Sequence, residues 1–289
     1  SSREKTVGND VVKNLVNQGY AGKIYPINPK IDELYGLKVY HDIKDLDQKI
    51  DLVVVAIPAK FVASAIDEAA SKGAQAAIVI SAGFKEAGNL ELEQELAATC
   101  RRHGIILVGP NCLGVINAEH KMNASFAAIM PEVGNVAFMS QSGALCTAVL
   151  DYAQELGLGF SKFISIGNKA ALDELALIKY LHEDPQTKVI CLYAEALDNA
   201  TAIIQTLKEL NRGKEPKPVI VLKSGKTAAG AGAIASHTGS LSGGDNAYQA
   251  LFNQAGIIRA QSVSELFDLA SIFSNNPLKE IKTVTIITN

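Results

Sequence analysis

Short β-branched runs alternate with longer stretches of helical period along almost the whole chain, and this alternation restricts the fold more than any other feature. The extended runs are Lys23–Asn28, Leu52–Ile57, Ala76–Ser81, Ile105–Val108, Val136–Ser140, Lys162–Ile166, Lys188–Tyr193, Val219–Lys223 and Val284–Thr288. Between them, residues 9–18, 61–71, 90–103, 144–155, 172–182, 200–210, 246–254 and 264–274 have helical spacing. Leu52–Ile57 is apolar at every position, which predicts a sheet covered on both faces. Strand–helix alternation gives right-handed βαβ units, so the expected fold class is α/β with doubly wound parallel sheets.

A length of 289 residues predicts about two domains. The alternation breaks once, over residues 118–133, where no clean period is visible. That stretch is expected to connect a first domain over 1–117 to a second over 134–280, with 281–289 beginning a further one. The chain opens where a turn after a first strand is expected and closes on a strand with nothing after it. A fragment lacking the first strand of its first sheet is therefore expected, and that strand would lie mid-sheet.

Composition removes several classes of function. The 27 basic and 30 acidic side chains nearly balance and form no basic cluster, which argues against nucleic acid as the main partner. No apolar run reaches the roughly 18 residues that span a bilayer. The N-terminal residues lack the apolar core of a signal peptide. Cys100, Cys112, Cys146 and Cys191 are far apart, as expected of reduced thiols in a cytoplasmic protein and not of a disulfide frame or a metal site.

Ligands of open α/β sheets bind at the carboxyl ends of strands. Here those ends carry Asn28-Pro29-Lys30, Pro58-Ala59-Lys60, Ser81-Ala82-Gly83-Phe84 and Gly109-Pro110-Asn111-Cys112. Gly and Pro often do no more than end strands, yet four such ends together form a rim on which a flat base and a pyrophosphate fit. No complete G-x-G-x-x-G is present and no acidic residue follows the second strand, so NAD is disfavoured. Ser140-Gln141-Ser142-Gly143 joins a strand to a helix, and its free N–H groups suit a phosphate; an ordinary serine N-cap reads equally well. The Gly/Ala/Ser-rich loop Gly225–Gly244 carries Ser236-His237-Thr238-Gly239-Ser240-Leu241. His237 is either a surface histidine or a nucleophile that accepts a phosphoryl group near neutral pH. Glu195, after the strand ending at Tyr193, either orients that imidazole or only favours a helix start.

In this order the segments resemble the alpha part of the nucleoside-diphosphate-forming acyl-CoA synthetases, the group of ADP-forming acetyl-CoA synthetase and the succinyl-CoA synthetase alpha subunit. The resemblance covers essentially the whole chain. The His237 loop is its most specific part, and together with Leu113 it points to the acetate-type enzymes. It implies a Rossmann-like CoA-binding domain followed by a flavodoxin-like one. Coenzyme A or acyl-CoA would meet Asn28, Lys30, Pro58, Ser81, Gly83, Asn111 and Cys112, with its phosphates at the turn of Ser1, Ser2 and Lys5. His237 would be catalytic with Glu195 as its orienting carboxylate, and Ser142, Gly143, Thr238 and Gly239 would bind phosphate. The implied reaction converts acyl-CoA, phosphate and ADP to acid, CoA and ATP through an acyl phosphate and a phosphohistidine. ADP/ATP and Mg²⁺ would sit on an ATP-grasp subunit or fused domain outside this chain, and an oligomer is expected. The small carboxylic acid would sit near Phe126 and the loop after Ile166.

The alternative is an acyl-CoA-sensing regulatory module of a protein lysine acetyltransferase. Such modules have usually lost the histidine loop, which is intact here over Ser236–Gly239.

Overall fold

Two mainly parallel sheets organise the chain, and their strands are buried on both faces because alternate residues pack on opposite helix layers. The computed structural model describes residues 6–213, 215–225, 244–276, 283 and 285–288. Ser1, Ser2, Lys5, His237, Thr238 and Gly239 lie outside the described residues.

The first sheet has the order β3-β4-β5, formed by Leu52–Val55, Ala76–Val79 and Ile106–Val108. It follows a two-residue antiparallel pair, β1 (Glu33–Leu34) and β2 (Leu37–Lys38). Ala77 and Val79 face α2 (Val62–Ser71) and α3 (Leu90–His103), packing with Val62, Ile66, Leu96 and Cys100. Ile78 and Ile80 face the other way, onto Val11 and Leu15 of α1 (Val7–Asn17). α3 begins with Glu91 and Glu93 and ends with Arg101, Arg102 and His103 before left-handed Gly104, a charge order that complements the helix dipole.

The second sheet has seven strands in the order β12-β11-β10-β8-β9-β6-β7. β8 (Val133–Ser140), β9 (Phe160–Ser165), β10 (Val189–Ala194), β11 (Val219–Lys223) and β12 (Ile258–Ala260) are parallel. Val136, Phe138, Val189 and Cys191 pack on α4 (Gly143–Glu155) and α8 (Val263–Asn275). The alternate residues Ala137, Met139, Ile190 and Leu192 pack on α5 (Glu174–Glu183), α6 (Ala200–Asn211) and α7 (Asp245–Ala255). With β8 taken as first, the parallel strands run 2-1-3-4-5, so the order reverses between β8 and β10. Such a switch point opens a crevice at the carboxyl ends of the strands.

Three expectations require correction. The stretch 118–133 is structured: β6 (Gly114–Asn117) and β7 (Met122–Ser125) form an antiparallel hairpin that extends the second sheet through β9. Its buried faces include polar residues, which hid the strand period. Asn123 donates to the carbonyls of Ala127 and Ile129, and the Ser125 hydroxyl donates to Asn123 at 2.6 Å.

Lys23–Asn28 is not a strand; it makes one isolated bridge, Ile27 to Tyr40. Pro26 has no N–H to donate, and a cavity of about 690 Å³ separates Ile24–Ile27 from β3. Of the expected strand Val284–Thr288, residues 285–288 belong to no sheet and Ile286 and Ile287 are exposed, while residue 284 lies outside the described residues. No helix among the described residues is long and apolar enough to cross a membrane.

Candidate functional site

The two sheets direct their carboxyl ends at one cleft of about 600 Å³. Pro58, Ser81, Asn111 and Cys112 line it from the first domain, and Ser142 and Gly143 line it from the second. These six expected site residues, spread over 86 positions of sequence, therefore share one cavity. Phe126 lies at the same cleft and is 37% exposed.

The first-domain wall is built by backbone turns that demand small residues. Gly109 has φ +99°, and a Cβ there would lie 2.5 Å from the carbonyl oxygen of Val79. The Asn111 N–H donates to Ser81 O at 2.9 Å, tying the ends of β4 and β5 together. The Ser81 hydroxyl accepts from Ile57 N at 3.0 Å, which adds the end of β3. Cys112 is 4% exposed and donates its S–H to Val79 O; burial pushes its pKa up to about 12, so it lines the cleft as a neutral thiol.

The second-domain wall is the N-terminus of α4. Ser142 is the N-cap, its hydroxyl accepting from Leu145 N at 3.3 Å, so the N-cap reading holds. A single cap leaves the N–H groups of Gly143 and Ala144, which also line the cleft, without intrahelical acceptors. A Cβ on Gly143 would point at Leu113 N, 3.8 Å away, so the glycine keeps the space before the helix end open. The geometry suits an anion approached by backbone donors and the positive end of the helix dipole.

Glu195 follows β10 directly and is 9% exposed. Its N–H donates to Gln141 Oε1 at 2.7 Å. It therefore stands across the switch point from the α4 turn. Asn28 lines the 690 Å³ cavity and not the cleft; Lys30 is exposed and lines neither. Gly83 (φ +105°) also lies off the cleft lining, its N–H donating to Glu86 Oε1 at 2.6 Å.

Three side chains at this end of the molecule were not singled out from the sequence. Lys223 ends β11 beside Ala194, is 2% exposed, and sits with its ammonium 4.5 Å from the Tyr248 ring centre. Burial lowers its pKa; Asp245 and Glu195 oppose that shift and Arg259 adds to it. A lysine closing an otherwise apolar strand was the available signal. Asn168 donates to Glu86 and Glu93 of the first domain. Gln141 is the third. Gln141 lies in the strand-to-helix segment noted from the sequence, but its role and that of Asn168 were not legible, because their partners lie far away in the chain.

Among the described residues no three His, Cys, Asp or Glu side chains converge on a metal position. What the fold and cleft define is a two-domain α/β protein with a cleft between strand ends of one domain and a helix N-terminus of the other.

Residues 1–118 match the family described as CoA binding domain, and 133–273 match the succinyl-CoA ligase like flavodoxin domain. The chain is 46% identical over 272 residues to ADP-forming acetate–CoA ligase I of Archaeoglobus fulgidus, covering 93% of this chain and 39% of that protein. It is 38% identical to the alpha subunit of ADP-forming acetate–CoA ligase I of Pyrococcus furiosus, covering 100% of this chain and 63% of the relative. A solved structure, dinucleotide-forming acetyl-coenzyme A synthetase 1 of Ca. Korarchaeum cryptofilum in complex with phosphate and ADP, superposes with a TM-score of 0.90 at 39% identity. That match covers 97% of this chain and 60% of the other. The chain thus spans from two-fifths to somewhat under two-thirds of the length of these relatives. The chain belongs to the nucleoside-diphosphate-forming acyl-CoA synthetase family, with a Rossmann-like CoA-binding domain ahead of a flavodoxin-like one.

Proposed function

We propose that this chain is the CoA-binding and phosphoryl-carrying part of an ADP-forming acyl-CoA synthetase of the acetate type, acting in the cytoplasm. The observation that carries this reading is the shared cleft: strand ends of a CoA-binding domain face the open N-terminus of α4 across one cavity. Phosphate held by Gly143 and Ala144 N–H groups attacks the thioester carbonyl, CoA leaves as the thiolate, and an acyl phosphate forms. Backbone donors fixed in place stabilise the charge that develops without reorganising.

In the next step His237 takes the phosphoryl group from the acyl phosphate, releasing the acid, and passes it to ADP. Glu195 accepts the other imidazole N–H and stabilises the phosphorylated form, while Thr238 and Gly239 hold phosphate oxygens. ADP/ATP and Mg²⁺ belong to an ATP-grasp part, either fused or separate. The relative named as an alpha subunit supports a separate second subunit. Coenzyme A runs from the cleft along Gly83 toward Asn28, Lys30, Ser2 and Lys5. The first domain ends with β5, and the second begins with the β6–β7 hairpin that pairs with β9.

Phosphoryl labelling tests this. The chain is incubated with γ-labelled ATP, Mg²⁺ and an ATP-grasp partner proven competent on a known alpha chain. Acid-labile, base-stable label on His237, discharged by ADP and absent from His237→Ala, is expected. No label with CoA binding intact would refute the phosphohistidine step and leave the acyl-CoA sensor.

A further inference from the structure

Gln141 sits at the switch point, between Ser140, which ends β8, and Ser142, which caps α4. Its side-chain amide is saturated. Oε1 accepts from Glu195 N at 2.7 Å and Ala196 N at 3.0 Å, while Nε2 donates to Ala196 O at 2.7 Å and to the Glu174 carboxylate. An amide oxygen accepts two bonds and its nitrogen donates two, so the partners fix one orientation of the group. The main chain adds a tie, Gln141 N donating to Tyr193 O.

Glu174 is itself 2% exposed at the start of α5, and its Oε1 also accepts from Lys169 Nζ at 2.9 Å. Lys169 reaches Asp198 at 2.8 Å and Ala196 O at 3.3 Å from a left-handed backbone, φ +57°. The loops after β8, β9 and β10 are therefore bolted together beneath Glu195. Replacing any one of these groups would leave buried polar partners unsatisfied.

We propose that Gln141, backed by Glu174 and Lys169, is a positioning residue for phosphoryl transfer: it holds the Glu195 main chain in register with the N-terminus of α4. This rests on the phosphohistidine reading given above. Gln141 touches no reacting atom; it sets the distance between a carboxylate and a helix end that must address the same phosphoryl group. Displacing such a group by about 1 Å is enough to slow a reaction roughly a hundredfold.

The test is the labelling rate of the full chain with its ATP-grasp partner. Gln141→Glu keeps both acceptor bonds but turns a carboxylate oxygen toward Glu174 and Ala196 O. Labelling slower by about 10- to 100-fold is expected, with the loss in kcat and not in KM for ATP, and with CoA affinity unchanged. Adding Glu174→Gln restores a donor opposite the new carboxylate and should recover most of the rate. Should Gln141→Glu not fold, Gln141→Asn, which shortens the reach, should show the same loss in kcat. Wild-type labelling in Gln141→Glu, or a double variant as slow as the single one, would overturn the proposal. Absence of label in the wild type would refute the parent reading, and the positioning role with it.

Discussion

Asp184 shows how one residue ties a buried charge to the stability of the second domain. Lys162, on β9, is 7% exposed, and its ammonium lies 3.0 Å from Asp184 Oδ2. Burial opposes the Asp184 charge, but bonds from Thr187 and Lys162 outweigh it and hold the carboxyl below the usual carboxylate range. A depressed folded-state pKa contributes stability that is present above the unfolded value, near pH 4, and lost as pH falls through the folded value. Chemical denaturation between pH 7 and pH 2 should show that loss, and Asp184→Asn should flatten it. The variant also leaves Lys162 without its carboxylate, so a destabilisation at pH 7 of about 3 kcal/mol is expected; an unchanged acid limb would exclude this pair as its source. Lys162 was legible only as part of an apolar-rich strand, since Asp184 approaches it through the chain reversal after α5.

At the scale of elements, the cleft depends on how closely the loop after β9 approaches the turn after β5. Gly167 has φ +63°, and a Cβ there would lie 2.2 Å from Pro110 O and 2.8 Å from Asn111 O. Backbone cannot yield as a side-chain tip can, so Gly167→Ala must separate the two segments. Asn168 N donates to Pro110 O and Ala170 N to Gly109 O, and both bonds would stretch. The expected outcome is a destabilisation of about 2–4 kcal/mol by thermal unfolding, with CoA affinity lowered by calorimetry. A variant of normal stability and affinity would show that this contact is dispensable. α3, α4 and α7 were legible to within one residue because their apolar spacing and caps are local. The hairpin β6–β7 was not, because Asn123 and Ser125 are buried through hydrogen bonds to each other and to Ala127 and Ile129 and not by hydrophobicity, so no apolar period marks the strand.

For the whole molecule, the two domains are joined by more than the chain. Asn168 donates to Glu86 at 2.5 Å and Glu93 at 2.7 Å, its Oδ1 accepts from Asn111 at 3.2 Å, and Lys85 Nζ donates to its carbonyl at 2.8 Å. Asn14 of α1 donates to Ser125 O and Ala127 O across the hairpin. Burial of Glu86 disfavours its charge, but Asn168 and the N–H groups around Gly83 outweigh that and lower its pKa, so two carboxylates share one amide at the interface. Asn168→Leu should leave both without that donor, lower stability by about 2–3 kcal/mol, and loosen the domains. Small-angle scattering with a larger radius of gyration would check this; an unchanged profile and melting temperature would refute the latch. The sequence by itself determined the α/β class, most helices, and the residue types gathered at strand ends, because hydrophobic period, caps and Gly/Pro turns act within a few residues. Only the tertiary structure decided that Pro58, Ser81, Asn111 and Cys112 share a cleft with Ser142 and Gly143, and that Gln141 clamps Glu195. Those relations join positions tens of residues apart, and they arise when parallel strands from two sheets align their carboxyl ends, which no local pattern encodes.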